Sequence, residues 1–457
     1  MNKIVKYIVT VFFFGTFIAC SDVLDKDNLN AVSDQAVWEN AVYATAFLDK
    51  LHRDNVPGWD SRISQDCDEA VSNERRTYPH GELDINGIST WPYEQIRNCN
   101  TLIENVESGS LDPVTVGRLK GQALVIRAWL YFDLVRQYGG VPMIMNTQTT
   151  TDDLYVSRNK ASECFTLIVK DLDDAIAIES FPMKWEGSDA GRISKAAAVA
   201  LKGRVLLYQA SPQFNPNNDQ VRWQAAYDAN KTAREALSAA GYGLFDNFET
   251  LWYKDNEMNK EAVFVKRHSA NLPQGWSAPT RPPASLGDND ANRPSWELVS
   301  SFPMKDGKAV GDPESVYAYN DARFWENRDP RLAASVVWNG SVWELYGESG
   351  HIQWTWEGGP NTAYMYCRKA VDPALSLLES HISNCGTDWI EIRYAEVLLN
   401  MAECAAALNK ADDVYALIGE IRQRAGIDAG AGSRYGLKAG MSANELTDAV
   451  RSERKIE

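Results

Sequence analysis

RAWLYFDLVRQYGGVP, running from Arg127 to Pro142, decides the class of fold. Read with the residues just before it, it places Leu124, Ala128, Tyr131, Val135 and Tyr138 at i, i+4, i+7, i+11 and i+14. That spacing puts all five on one face of a helix. Gly139 and Gly140 stop the helix, and Pro142 keeps it from resuming. The same grammar repeats outward. Ser194 is a helix N-cap, followed by Ala197, Leu201, Val205 and Tyr208 on one face and by the Ser211-Pro212 stop. Helical patterns also cover 36–51, 93–106, 163–178 and 223–239.

A second helical block begins near Asp388. Tyr394, Val397, Leu398, Met401, Ala405 and Leu408 form one apolar stripe; Val414, Leu417, Ile418, Ile421 and Ala425 form the next, closed by Gly426. Two helices joined at Asn409-Lys410 make an antiparallel pair. Recurring pairs suggest tetratricopeptide-like stacking, although no strict 34-residue signature is present. The predicted fold class is therefore mostly α.

Between the blocks the texture changes to Gly, Pro, Asn and aromatic residues, with short candidate strands at 262–266 and 334–338. So long an irregular stretch in a compact protein is more often functional than idle. The expected organisation is a leader at 1–19, a lipidated cysteine and tether at 20–34, and a helical scaffold at 35–242. An irregular, Trp-rich ligand-binding region at 243–387 and a second helical scaffold at 388–457 follow.

The leader carries Lys3 and Lys6, then an apolar run from Tyr7 to Ala19, then Cys20. As a helix the run reaches roughly 20 Å, short of the roughly 30 Å hydrocarbon core, so it suits insertion and cleavage better than spanning. It looks like a bacterial lipobox, with Phe17 where Leu is usual, and predicts lipid on Cys20. The net charge of −16 becomes −18 once the two leader lysines are removed, which makes nucleic acid and anionic lipid surfaces poor partners. Of the other cysteines, Cys164 and Cys404 sit in helical patterns as small buried residues. Cys67 with Cys99, and Cys367 with Cys385, are candidate disulfide pairs in a compartment that permits them.

Six segments in order resemble the SusD/RagB family of Bacteroidetes nutrient-uptake lipoproteins. They are YEQIRNCN at Tyr93 to Asn100, the Arg127 to Pro142 stretch, and Arg192 to Lys195 with the AAAVALKGRVLLYQASPQFN that follows. Arg328-Asp-Pro-Arg331, the helix from Ile390 to Glu403, and IRQRAG at Ile421 to Gly426 complete the series. The resemblance implies a helical protein sitting as a lid on a SusC-like TonB-dependent transporter at the cell outer membrane, facing the exterior and capturing oligosaccharide or polysaccharide. It implies a binding protein rather than an enzyme, with no cofactor, and it makes the motif residues scaffold. The family continues past a segment like Glu453 to Glu457, so a last helix and part of the core are expected to be missing here.

Sugars present CH-rich faces that stack on aromatic rings and hydroxyls that need polar partners, so a glycan site calls for exposed Trp or Tyr beside Asp, Asn, Gln or Arg. The candidates are Trp59, Asp66, Tyr78, Trp276, Trp296, Trp338, Trp343, Trp354 and Trp356. Trp325 shares the irregular segment with most of them. Trp354 and Trp356 would share a face if that stretch is extended. The bland counterpart is core burial, common for Trp. Around Asp66 lie Asp68, Glu69, Arg75 and Arg76, which read more readily as solvated charges.

Asp288, Asp290 and Asn292 begin like a calcium loop, but Arg293 stands where the turn needs Gly and Val299 where a bidentate Glu belongs. His52, His80, His268, His351 and His381 have no ligand spacing, so no metal site is expected. No hydrolase, P-loop or dinucleotide motif is present. The alternative to glycan capture is a helical interaction scaffold that touches no sugar.

Overall fold

The computed structural model describes residues 34–59, 66–71, 80–84, 87–269, 271–282, 285, 292–357, 364–375 and 378–457. The leader, Cys20, Tyr78, Arg75, Arg76, Asp288 and Asp290 lie outside them.

The fold is mostly α. Six long helices form the first block: α1 (Ala41–Asn55), α2 (Tyr93–Asn105), α3 (Pro113–Tyr138), α4 (Ala161–Ala177), α5 (Lys195–Ala210) and α6 (Gln220–Ala239). Each from α2 onward packs on the next. Among the short helices of the irregular region are α7 (Trp296–Ser301) and α8 (Pro330–Ser335). The second block is α9 (Tyr394–Ala407), α10 (Ala411–Ala425) and α11 (Ala443–Ile456). Helix α9 packs on α6, α10 and α11, so blocks far apart in sequence share one hydrophobic core.

Helix α3 starts well before the Leu124 stripe because Asp112 caps it, accepting from the N–H groups of Val114 and Thr115 at 3.1 Å, with Pro113 at the first helical position. It is buried nearly all round from Gly121 to Val135, as a central helix must be. Gly140 is required by close approach, since a Cβ there would lie 2.0 Å from the Asn159 carbonyl. Arg127 is buried and clasps three elements together. It forks onto Asp171 of α4 at 2.7 and 2.8 Å, and it donates to Asn100 of α2 at 2.7 Å and to the Met145 carbonyl at 3.0 Å. Gly203 lets α5 approach α6, where a Cβ would meet Asn230 Oδ1 at 2.3 Å.

The irregular region is stitched by two-stranded antiparallel pairs. β1 (Ala70–Val71) pairs with β3 (Arg293–Pro294), and β2 (Ala262–Lys266) with β8 (Trp389–Arg393). β4 (Val336–Trp338) pairs with β7 (Met365–Cys367), and β5 (Ser341–Val342) with β6 (Ile352–Gln353). The strand expected at 334–338 begins at Val336, because Ala334 and Ser335 finish α8, which Asp329 caps through the Arg331 N–H at 2.9 Å. Neither candidate disulfide, Cys67 with Cys99 or Cys367 with Cys385, is formed. Among the described residues no helix is long and apolar enough to cross a membrane.

Candidate functional site

Two hollows flank one face of the β4·β7 ribbon. Trp338, opposite Met365, lines an open hollow of about 540 Å³; Val336, opposite Cys367, lines a recess of about 340 Å³. Residues two apart on a strand share a face, so one face of the ribbon contributes a wall residue to each hollow. Helix α7 is divided the same way, with Trp296 in the open hollow and Leu298 in the recess.

The open hollow is walled by Trp296, Phe324, Trp325, Trp338, Trp356 and Tyr364, with Ala322, Met365 and one amide, Asn339. Trp325 and Trp338 are nearly parallel, 16° apart at 5.6 Å, and Phe324 stands edge-on to Trp325 and to Trp296. Trp356 meets Tyr364 at 88°. Trp296, Trp356 and Tyr364 are 47%, 60% and 72% exposed, which makes them available faces rather than core. Arg328 holds this arrangement from behind. Its buried guanidinium donates to the carbonyls of Phe324 at 2.7 Å and Val299 at 2.9 Å, tying the Phe324-Trp325 turn to α7.

The recess gathers Trp59, Trp252, Trp276 and Trp389 beside Glu69, Ser335, Lys369 and Arg393. Trp59 packs against Trp276 at 5.2 Å and Trp389 at 5.0 Å, and its Nε1–H donates to the Thr387 carbonyl at 2.9 Å. The 66–71 segment reaches the recess because Ser295, the cap of α7, donates through Oγ to the Asp68 carbonyl at 2.7 Å and through N–H to Glu69 at 2.9 Å. Burial, and then the nearby Arg393 charge, push the Lys369 ammonium down to about 8. Beside the recess, burial pushes the Asp388 carboxyl up to about 6, although the His268 N–H donates to it at 2.8 Å and Arg267 faces it at 2.7 Å.

The sequence candidates are thus divided. Trp296, Trp338 and Trp356 meet in the open hollow, and Trp59 and Trp276 in the recess. Trp343 is corrected: at 1% exposure it is core, packed in a cluster with Val337, Leu345 and Tyr366, and has no face for a ligand. The shared face of Trp354 and Trp356 is also corrected, because Thr355 and Trp356 form a turn, and Trp354, though 47% exposed, lines neither hollow. Asp66 is half-buried and lines neither. Phe324, Tyr364, Trp252 and Trp389 are wall residues outside the sequence candidates. The Phe324-Trp325 pair, shortly before the Arg328-Asp-Pro-Arg331 segment, was the available signal for the first. Among the described residues no cluster of His, Cys, Asp and Glu is arranged to hold a metal.

Residues 219–457 match the model of the SusD family. The chain belongs to that family. Residues 26–207 match a second SusD-like model, described as starch-binding associating with outer membrane. A SusD-like protein of Bacteroides ovatus is 27% identical over 54% of this chain and 47% of its own length. SusD-like protein P38 of Formosa agariphila is 24% identical over 97% of this chain and 86% of its own. In solved structures, a SusD-like protein of Bacteroides fragilis superposes with a TM-score of 0.75 at 23% identity, covering 94% of this chain and 86% of that one. A SusD-like carbohydrate-binding protein of the same species gives 0.73 at 21% identity, over 92% and 84%. These likenesses establish the SusD fold here. On it, Arg127 and Arg331 of the family segments are structural: Arg331 is buried between Asp329 at 2.8 Å and Glu453 at 2.7 Å.

Proposed function

We propose that this chain is a surface lipoprotein that captures glycan and delivers it to a SusC-like TonB-dependent transporter in the outer membrane, without catalysis. The observation that carries the reading is the open hollow: six aromatic rings, three of them exposed, and one amide, on the fold of a family one of whose models is described as starch-binding. Such walls favour the CH faces of sugar rings and leave hydroxyls to solvent and Asn339. Lipid on Cys20 would hold that surface near the transporter at high effective concentration.

Calorimetry on the full chain against plant, host and microbial oligosaccharides is expected to find at least one ligand; none across the panel would falsify the reading. Cys20→Ala should abolish surface retention while leaving glycan affinity in solution unchanged. The second reading, a protein-docking scaffold, is favoured by Leu154, Tyr155 and Val156, consecutive exposed apolar residues of which Tyr155 is 95% exposed. Tyr155→Ser that impaired only transporter association, with Trp356→Ala silent in sugar binding, would favour it.

A further inference from the structure

We infer that Arg328 is a positioning residue of the open hollow: by holding the end of α7 and the Phe324-Trp325 turn in one guanidinium, it sets the spacing at which Trp296, Trp325 and Trp338 meet a ligand. This rests on the glycan-capture reading of the hollow. It also takes Arg328 out of the scaffold, to which the family resemblance assigned the whole Arg328 to Arg331 segment, and leaves Arg331 there.

The bonds of the guanidinium are the first observation. Every one goes to a backbone carbonyl. Nη1 donates to Phe324 at 2.7 Å, Nη2 to Val299 at 2.9 Å, Phe302 at 2.5 Å and Ser300 at 3.4 Å, and Nε to Pro303 at 3.4 Å. Val299 and Ser300 belong to the last turn of α7, whose carbonyls have no partner within the helix. The neighbouring Asp329 carboxylate is taken by Arg331, at 3.1 and 2.8 Å. The charge of Arg328 is thus spent on holding two backbone segments together.

The place of the held carbonyl is the second. The Phe324 ring stands edge-on to Trp296 at 5.3 Å, Trp325 at 5.1 Å and Trp338 at 5.9 Å. A shift at Phe324 is therefore passed to three indoles at once. Binding geometry is lost when supporting groups slip by about 0.5 Å or more.

The backbone is the third. Arg328 bridges Met304, with the Asp329 N–H donating to the Pro303 carbonyl at 2.9 Å and the Lys305 N–H to the Asn327 carbonyl at 2.8 Å. These bonds survive a change of side chain, so the hold on the rings can be removed while the chain path stays. Lysine is the informative replacement, because its three donors radiate from one nitrogen and cannot reproduce the planar fork.

The test uses the detergent-solubilised full chain with Arg328→Lys, Arg328→Ala and, as a scaffold control, Gly203→Ala. Without ligand, the near-ultraviolet dichroism of the stacked Trp325 and Trp338, taken as the part of the spectrum that Trp325→Phe removes, should be lost in both Arg328 variants and kept in Gly203→Ala. Methylguanidinium should restore it in Arg328→Ala, and methylammonium should not. In calorimetry the probes are maltohexaose, cellohexaose, laminarihexaose and xylohexaose. Whichever the unaltered chain binds should bind Arg328→Lys at least about tenfold more weakly, while Gly203→Ala, destabilised in urea at least as much, keeps its affinity.

An unchanged spectrum in Arg328→Lys, or an affinity that merely follows the urea midpoint across all three variants, overturns the inference and leaves glycan capture standing. Loss of helicity in Arg328→Lys does the same, since it would return Arg328 to the scaffold. Binding of none of the probes by the unaltered chain strikes glycan capture instead, and the spectral measurement, which needs no sugar, still upholds or overturns the hold of Arg328 on the indoles.

Discussion

The helical scaffold and the irregular region that carries the hollows solve the same problem, burial of apolar surface, by different means. In the scaffold, helices interlock through buried polar clasps and glycine contacts: Arg127 on Asp171 and Asn100, and Gly203 against Asn230. In the irregular region, two-stranded ribbons and single turns hold rings that remain partly open to water, as with Trp356 and Tyr364. The contrast teaches that stability and binding are written in separate residues, so each can be removed without the other.

The largest stability effect should come from the scaffold. Arg127→Ala leaves Asp171 buried without its cation, and burial already pushes that carboxyl up. A loss of about 3–5 kcal/mol is expected in urea unfolding. Gly203→Ala forces a methyl group onto Asn230 and should cost about 1–3 kcal/mol by the same measurement. If either variant kept full stability, the clasp would not be what unites the helices.

The comparison extends to pH. In the scaffold, burial and the Arg192 charge hold His52 down at about 4 instead of 6.5, so its contribution is lost as pH falls from about 6.5 towards 4. At the recess, Asp388 sits at about 6 instead of 3.8; the folded state binds the extra proton, so its contribution is lost as pH rises from about 4 towards 6. The two slopes oppose. Asp388→Asn should make stability rise more steeply with pH between 4.5 and 6, and His52→Gln should make it fall. Denaturant midpoints at the two pH values check both signs.

Smallest in stability, and largest in binding, is Trp356→Ala. The ring is 60% exposed, so the midpoint should move by no more than about 0.5 kcal/mol. Glycan affinity, by contrast, should fall at least about tenfold, as for an exposed aromatic anchor. A variant that lost stability but kept binding would erase the division between the two regions.

How far the sequence could be read follows the same line. Helical stripes such as Tyr394 to Leu408 were legible because a period near 3.6 is local information. Short elements were less so. Residues 334–338 read as one strand, although Asp329 and Pro330 are a cap and first-position signal for a helix that consumes the first two. Alternation suggested a shared face for Trp354 and Trp356; the Gly358-Gly359-Pro360 that follows was the sign of a turning chain. Burial of Trp343 depends on Arg281 and Arg368, whose guanidinium groups each lie 5.7 Å from its ring, and no local pattern encodes that. The hollows themselves join residues as distant as Trp59 and Trp389, so their membership was beyond any window.

That distance has a kinetic consequence. The recess closes only when Trp59, Trp252, Trp276, Ser335 and Trp389 are brought together, whereas α5 on α6 or α9 on α10 needs only neighbours in the chain. Closing long loops is slow because their entropy is lost before contacts repay it. Refolding should therefore regain helicity first and the clustered-indole fluorescence of the recess afterwards, with a molecule that is already compact but still unable to bind existing in between.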